Sequence, residues 1–176
     1  MPEIVVPYDR AWASAYAIEA EALSRALDDP ASSFHHVGST AIPGLLSKPI
    51  IDILCVAESL DTIDSRHDAF ASLGYEAKGA YGIEGRRYFR KFDIRGRRTH
   101  HLHVFAAGSP HVVRHLAFRD YLRAHPSAAR DYSDLKSALS ITASANRASY
   151  QDGKAPFIAE TEARALKWYQ RTVRRS

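Results

Sequence analysis

The chain has 176 residues and a mass of 19.6 kDa, enough for one well-buried domain but short for two, so we expect a single domain over residues 1–176. With 45% hydrophobic and 25% charged residues, the composition is that of a globular protein and excludes the disordered and fibrous classes. The formal net charge of +4 is a mild excess that suits anionic ligands.

The sequence carries no signal for export or membrane insertion. No apolar run approaches the length of a transmembrane helix, so we expect no membrane partner. The N-terminal residues 1–12 are too short and too charged a stretch for a secretory signal. Cys55 is the only cysteine, which excludes an internal disulfide and a cysteine-based zinc cluster. We therefore expect a cytoplasmic protein.

The first two-thirds of the chain favours short strands. Asp9 is placed to cap a first helix, and the Gly and Pro residues of 38–49 predict a loop. Residues 86–92 and 99–106 resemble hairpin strands joined by a turn over 93–98. The predicted elements are a helix over 10–28, strands over 33–37 and 50–56, a helix over 60–73 closed by Gly74, a short strand and Gly-rich turn over 75–85, and the hairpin.

The last third predicts helices over 111–125, 127–144 and 155–171. Strands early in the chain and helices late favour an α+β domain, with a small mixed sheet flanked by helices and a helical C-terminal third. Strict alternation of strands and helices is absent, which argues against a Rossmann-type sheet.

Asp52 lies inside the most apolar strand of the chain. An ionised carboxylate is costly to bury alone, so Asp52 must meet an edge, a cation, a metal or several donors. Upstream, Gly38 and Ser39 form a turn whose N–H groups and hydroxyl can hold a phosphate, and Asp52 could place a divalent metal beside it. The alternative is a tight turn with Asp52 paired to a neighbouring arginine.

Two histidines follow on a later strand. His101 and His103 share one strand face, where two imidazoles can bind a metal with Asp52 as a third ligand. The alternative is a polar face of histidines bonded to backbone and water.

The strand over 86–92 is strongly basic. One of its faces would carry arginine to an anionic site, because a guanidinium binds phosphate bidentately. The alternative is an edge strand whose charges discourage pairing with other chains. No nucleic-acid motif accompanies the charges, so we do not expect a nucleic-acid partner. Alternation places Arg86, Tyr88 and Arg90 on one face and Arg87, Phe89 and Lys91 on the other.

Six segments spread over nearly the whole chain carry a family resemblance: VPYDRAW (6–12), HVGSTAIPGLLSKPIIDI (36–53), GRRYFRK (85–91), THHLHVF (99–105), HLAFRDYLRAHP (115–126) and YQDGK (150–154). They resemble elements of the GrpB family, whose fold is similar to that of polymerase-β-like nucleotidyltransferases. Related domains occur fused to dephospho-CoA kinase in some bacteria, which suggests nucleotide or coenzyme-A metabolism. No mechanism follows for YQDGK.

The nucleotidyltransferase pattern is Gly-Ser, a loop, Asp-x-Asp on a strand, and a third carboxylate on a later strand. Here Ile50 stands at the first Asp position, Asp52 at the second, and His101 or His103 in the region of the third. One Asp with two His fits a single, softer divalent ion better than a pair of magnesium ions.

The resemblance implies a nucleotidyltransferase-like protein that binds a nucleotide or phosphorylated small molecule, with one divalent metal ion (Mg²⁺, Mn²⁺ or Zn²⁺). It implies Asp52 and Ser39 as catalytic residues, and Asp52, His101 and His103 as metal ligands. The expected phosphate-binding residues are Gly38, Ser39, Thr40, Lys48, Arg86, Arg87, Arg90 and Lys91. The alternative is a catalytically inactive nucleotide-binding, phosphate-binding or accessory module of the same fold.

Overall fold

The computed structural model describes residues 5–142 and 147–173. In these residues one sheet of five strands is flanked by six α-helices. The strands are β1 (Ser33–Val37), β2 (Ile51–Ala57), β3 (Tyr75–Ala77), β4 (Arg86–Phe92) and β5 (Arg98–Ala106). The helices are α1 (Ala11–Leu27), α2 (Leu60–Asp64), α3 (His67–Ser72), α4 (Pro110–Ala124), α5 (Pro126–Thr142) and α6 (Arg147–Val173), and Ser39–Ala41 forms a 3-10 turn.

The sheet is mixed, with the strand order β1-β2-β5-β4-β3. Strands β2 and β5 run parallel at its centre, and every other neighbouring pair is antiparallel. The predicted α+β class, with a small mixed sheet, flanking helices and a helical last third, is confirmed.

The two faces of the sheet have different roles. Ile53, Leu102 and Phe89 lie on one face in the main apolar core, together with Leu23 and Leu27 of α1. Successive residues of a strand point to opposite faces. The residues next to these in sequence therefore point to the second face, which α4 covers in part.

The predicted helix over 60–73 is two short helices, α2 and α3. Between them, the hydroxyl of Ser65 donates to the carbonyl of Thr62 at 2.7 Å, a local bond that competes with helical hydrogen bonding. Gly74 follows α3 with φ of 91°, as expected of a left-handed cap.

Helix α6 begins earlier than predicted. Proline favours the first turn of a helix, and the prediction placed Pro156 there. In the structure, Pro156 lies inside α6, and this helix also contains residues 150–154. A Cβ on Gly153 would lie 2.5 Å from Leu139 Cδ2, so this glycine lets α6 pack closely on α5. The last two residues of the helix predicted over 127–144 lie outside the described residues.

Within residues 5–142 and 147–173, no helix combines the length and apolar character that crossing a membrane requires.

Candidate functional site

The candidate site lies where β2 and β5 run side by side. Their register pairs Asp52 with His101 and Leu54 with His103, so the acid and both imidazoles project from the same face. Asp52 Oδ1 lies 3.1 Å from His101 Nδ1 and 3.1 Å from His103 Nε2. The structure therefore brings together the three residues that the sequence proposed as metal ligands.

The Asp52–His101–His103 cluster has the spacing and donor set of a site for one metal ion. One ligand atom from each residue lies within 4.8 Å of the other two. Two tetrahedral ligands, each about 2.1 Å from a metal, are about 3.4 Å apart, and the observed separations of 3.1 Å differ from this by only a few tenths of an ångström. His101 Nε2 and His103 Nδ1 are buried without a hydrogen-bond partner among the described residues. Two nitrogens and one oxygen fit one ion such as Zn²⁺ or Mn²⁺, and not a magnesium pair.

Asp52 is held in its charged form. Burial by itself would raise the pKa of Asp52, but hydrogen bonds and charge from His101 and His103 outweigh it, so the pKa lies below its usual value. The Asp52 side chain is 27% exposed, which leaves it reachable from solvent. An acid in this apolar strand is therefore explained by its two imidazole partners.

Strand β1 ends at the Gly-Ser turn, which lies directly against Asp52. Gly38 has φ of +72°, a backbone conformation that side chains rarely tolerate. A Cβ on Gly38 would lie 2.7 Å from Asp52 Oδ2. This close approach requires glycine at the position directly before Ser39.

Gly38→Ala is expected to weaken binding of Zn²⁺ by about 10-fold or more, because the new Cβ displaces the Asp52 carboxylate. Gly44→Ala is the matched control, since Gly44 also has a positive φ, +80°, but nothing within 4 Å of its Cβ position. Calorimetric titration of Zn²⁺ into both variants gives the comparison. Equal zinc affinities would contradict the contact with Asp52.

Lys136 reaches the Gly-Ser turn from α5 and was missed by the sequence interpretation. Its ammonium donates to the Ser39 hydroxyl and, at 3.1 Å, to the carbonyl of Leu46. It also lies 4.2 Å from the ring centroid of Tyr132. Lys136 is only 3% exposed. Its place in a helical stripe with Ala129 and Tyr132, both buried, is the signal that could have found it.

Two more lysines extend this positive charge. Lys48 Nζ and Lys154 Nζ lie 4.8 Å and 4.6 Å from the ring centroid of the buried Tyr150. The pKa of Lys136 is lowered to about 7, mainly by burial and next by the charge of Lys154, while Asp52 opposes the shift. The structure thus places Lys48 in this group, and the YQDGK segment supplies Tyr150 and Lys154.

Strand alternation separates the predicted phosphate-binding residues of β4. Arg87 donates to both carboxylate oxygens of Asp64 at 2.7 and 2.8 Å, and Lys91 donates to Glu19 at 2.8 Å. Both point to the face that Phe89 buries in the main core. The structure therefore does not bring Arg87 or Lys91 to the candidate site, and we leave them out of it.

The remaining expected residues have two different placements. Thr40 is 1% exposed and bonded to His36 Nε2 at 2.9 Å, so it braces the turn from inside. Arg86 is 8% exposed and bonded to backbone carbonyls of the preceding loop. Arg90 pairs across the sheet with His101 and lies on the face of the candidate site.

Residues 2–164 match the family model described as GrpB protein. The chain belongs to the GrpB family. It is 38% identical over 164 residues to UPF0157 protein YqkA of Bacillus subtilis, covering 93% of this chain and 47% of YqkA. It is 32% identical over 160 residues to glutamate-rich protein GrpB of Alkalihalophilus pseudofirmus, covering 89% of this chain and 92% of that protein. The chain therefore spans about half the length of the first of these relatives.

One of the relatives is a kinase that matches this chain over part of its own length. The chain is 29% identical over 165 residues to dephospho-CoA kinase of Mycobacterium leprae, a match that covers 78% of this chain and 40% of the kinase. The expected link between GrpB domains and dephospho-CoA kinases is confirmed.

Solved structures confirm the fold. GrpB from Enterococcus faecalis superposes with a TM-score of 0.89 at 39% identity, covering 95% of this chain and 99% of that one. The Cid1 poly(U) polymerase with MgGTP bound gives a TM-score of 0.51 at 10% identity, covering 70% of this chain and 41% of the polymerase. This GrpB domain therefore has a nucleotidyltransferase-like fold.

Proposed function

We propose that this protein binds a nucleoside triphosphate together with one divalent metal ion, in a site of nucleotidyltransferase type. The observation that carries the proposal is the contact between the Gly-Ser turn and the acid: the Cα of Gly38 is so close to Asp52 that no side chain fits between them. A turn suited to phosphate and a cluster suited to a metal thus form one continuous surface.

Asp52, His101 and His103 would hold the metal, since their donor atoms already converge. A bound divalent ion supplies Lewis-acid charge that neutralises phosphate oxygens. Asp52 contributes the negative charge of the site, because its partners keep its pKa low. Before a metal binds, the imidazoles hold the carboxylate in place with two hydrogen bonds, which the metal would replace.

The phosphates would lie between the turn and the lysines. Ser39 offers its hydroxyl, and Lys136 already donates to that hydroxyl. Lys48 and Lys154 add positive charge beside the ring of Tyr150. Fixed positive charge in a partly shielded site stabilises phosphate without large reorganisation.

A cytoplasmic location remains part of the proposal. Cys55 is a buried free thiol, and burial raises its pKa to about 12. A chain with a single cysteine, which cannot form an internal disulfide, suits a reducing compartment.

Calorimetric titration of metal-stripped protein with ATP, GTP, CTP and UTP tests the proposal. Each nucleotide is added with and without Mn²⁺ or Zn²⁺, and adenosine serves as the control without phosphate. We expect binding that needs both the phosphates and the metal. Adenosine binding as tight as that of ATP, or nucleotide binding that chelation of the metal leaves unchanged, would contradict the proposed site.

A second candidate function is binding without group transfer. The candidate metal cluster among the described residues contains one carboxylate, whereas a two-metal transfer uses several bridging oxygens. Release of pyrophosphate from a bound nucleoside triphosphate distinguishes the two functions. Sustained release supports a transferase, and stable, metal-dependent binding without release supports a binding module.

A further inference from the structure

An exposed tyrosine stands on the loop between β3 and β4, residues 78–85. Tyr81 is 58% exposed, although its ring stacks on Tyr88 with centroids 5.2 Å apart. The guanidinium of Arg90 lies 4.6 Å from the Tyr81 ring centroid. One side of this aromatic ring is therefore packed, while much of the residue stays open to solvent.

The backbone holds Tyr81 in an unfavourable conformation. Its φ is +45°, in the left-handed region that a bulky side chain rarely adopts. Arg86 fixes this geometry, because its side chain donates to the carbonyls of Ala80 at 3.0 Å and Tyr81 at 2.6 Å. The buried side chain of Arg86 therefore holds the backbone that carries an exposed aromatic ring. A loop that only connects two strands would not need this support.

The packed side of Tyr81 connects to the candidate metal site. Tyr88 lies 5.2 Å from the His103 ring and 5.6 Å from the His101 ring, measured between centroids. Strands β2 and β4 are separated only by β5, a distance of about 9–10 Å across the sheet. One nucleotide can span that distance, with its phosphates at the Gly-Ser turn and its base towards β4.

We propose that Tyr81 is the stacking platform for the base of the bound nucleotide. This inference rests on the proposed function and names its base subsite. The cation on one side of the ring and the open surface beside it suit a planar heterocycle, which every nucleobase offers. Stacking of this kind tolerates different bases, so Tyr81 supplies affinity for a base without selecting one.

The test compares ligands with and without a base. Wild type, Tyr81→Asn and Tyr81→Trp are each titrated with the four nucleoside triphosphates and with inorganic tripolyphosphate, all with Mn²⁺. Asn accepts a positive φ readily, so Tyr81→Asn removes the ring without new backbone strain. Phe92→Ala is the control, since Phe92 is a partly exposed aromatic residue at the end of β4, with 39% of its surface exposed.

We expect Tyr81→Asn to bind nucleoside triphosphates about 5- to 100-fold more weakly than wild type, with unchanged affinity for tripolyphosphate. Tyr81→Trp is expected to retain binding, and its fluorescence to fall when a base stacks on the indole. Unchanged nucleotide affinity in Tyr81→Asn, or an equal loss for nucleotides and tripolyphosphate, would overturn the base subsite. Failure of wild type to bind either kind of ligand would instead overturn the proposed function.

Discussion

Asp52→Asn is expected to reduce the affinity for Zn²⁺ or Mn²⁺ by about 100-fold or more, because it removes the only anionic ligand of the cluster. The substitution keeps the shape of the side chain but loses the charge that both imidazoles now contact at 3.1 Å. Metal-dependent nucleotide binding is expected to fall in parallel. Calorimetric titration of the metal, followed by titration of ATP at saturating metal, measures both effects.

Asp134→Asn is the control for this change, since Asp134 is an exposed acid on α5. Thermal unfolding of both variants shows whether a loss of binding reflects a loss of structure. If Asp52→Asn kept the metal affinity of wild type, the Asp52–His101–His103 cluster would not be the metal site.

Lys136→Met is expected to weaken ATP binding by about 10- to 100-fold, the range for loss of a hydrogen bond to a charged group. The same substitution is expected to raise the free energy of unfolding at pH 7 by about 1 kcal/mol or more, because methionine fills the space without a buried charge. A residue with only a structural role would not combine lost binding with higher stability. Urea denaturation and calorimetry on the same preparations measure the two effects.

The buried amine also predicts a pH dependence. The pKa of Lys136 is about 7 in the folded chain and about 10.4 when unfolded. Between these values the unfolded chain binds more protons, so the stability of wild type rises with pH across this window. The stability advantage of Lys136→Met should therefore shrink between pH 7 and pH 9.

Ligand binding should take up a proton through Lys136. A bound phosphate favours the ammonium form, so at pH 8 the protein is expected to take up part of one proton with ATP. Calorimetry in buffers of different ionisation enthalpy measures this uptake. Lys167→Met, at an exposed position of α6, is expected to behave as wild type. Equal proton uptake by wild type and Lys136→Met would contradict the role of Lys136.

Much of the framework followed from local patterns. A continuous apolar run placed β2, and a hairpin pattern placed β5, correctly to within a residue or two. Strand alternation then put His101 and His103 on one face. Whether Asp52 meets them depends on the parallel pairing of β2 with β5. Residues 49 positions apart do not reveal such a pairing by spacing alone, and here a family resemblance supplied it.

Tertiary packing determined which side chains reach the candidate site, and the sequence pattern alone did not show this. Alternation divided the cations of β4 into two sets, but only the burial of Phe89 in the main core shows which set faces away from Asp52. Lys136 was missed because a lysine in a helix is usually solvated. Its place in the stripe with Ala129 and Tyr132 indicates a buried position, but the local pattern does not show that α5 packs against the Gly-Ser turn.

In the proposed function, the metal cluster and the phosphate turn form a single site. The most direct measurement is a crystal structure of the protein grown with Mn²⁺ and ATP, with anomalous data to locate the metal. We expect one manganese ion bound by Asp52, His101 and His103, with the ATP phosphates against Ser39 and Lys136. A manganese ion bound elsewhere, or ATP phosphates away from Ser39 and Lys136, would contradict the single site.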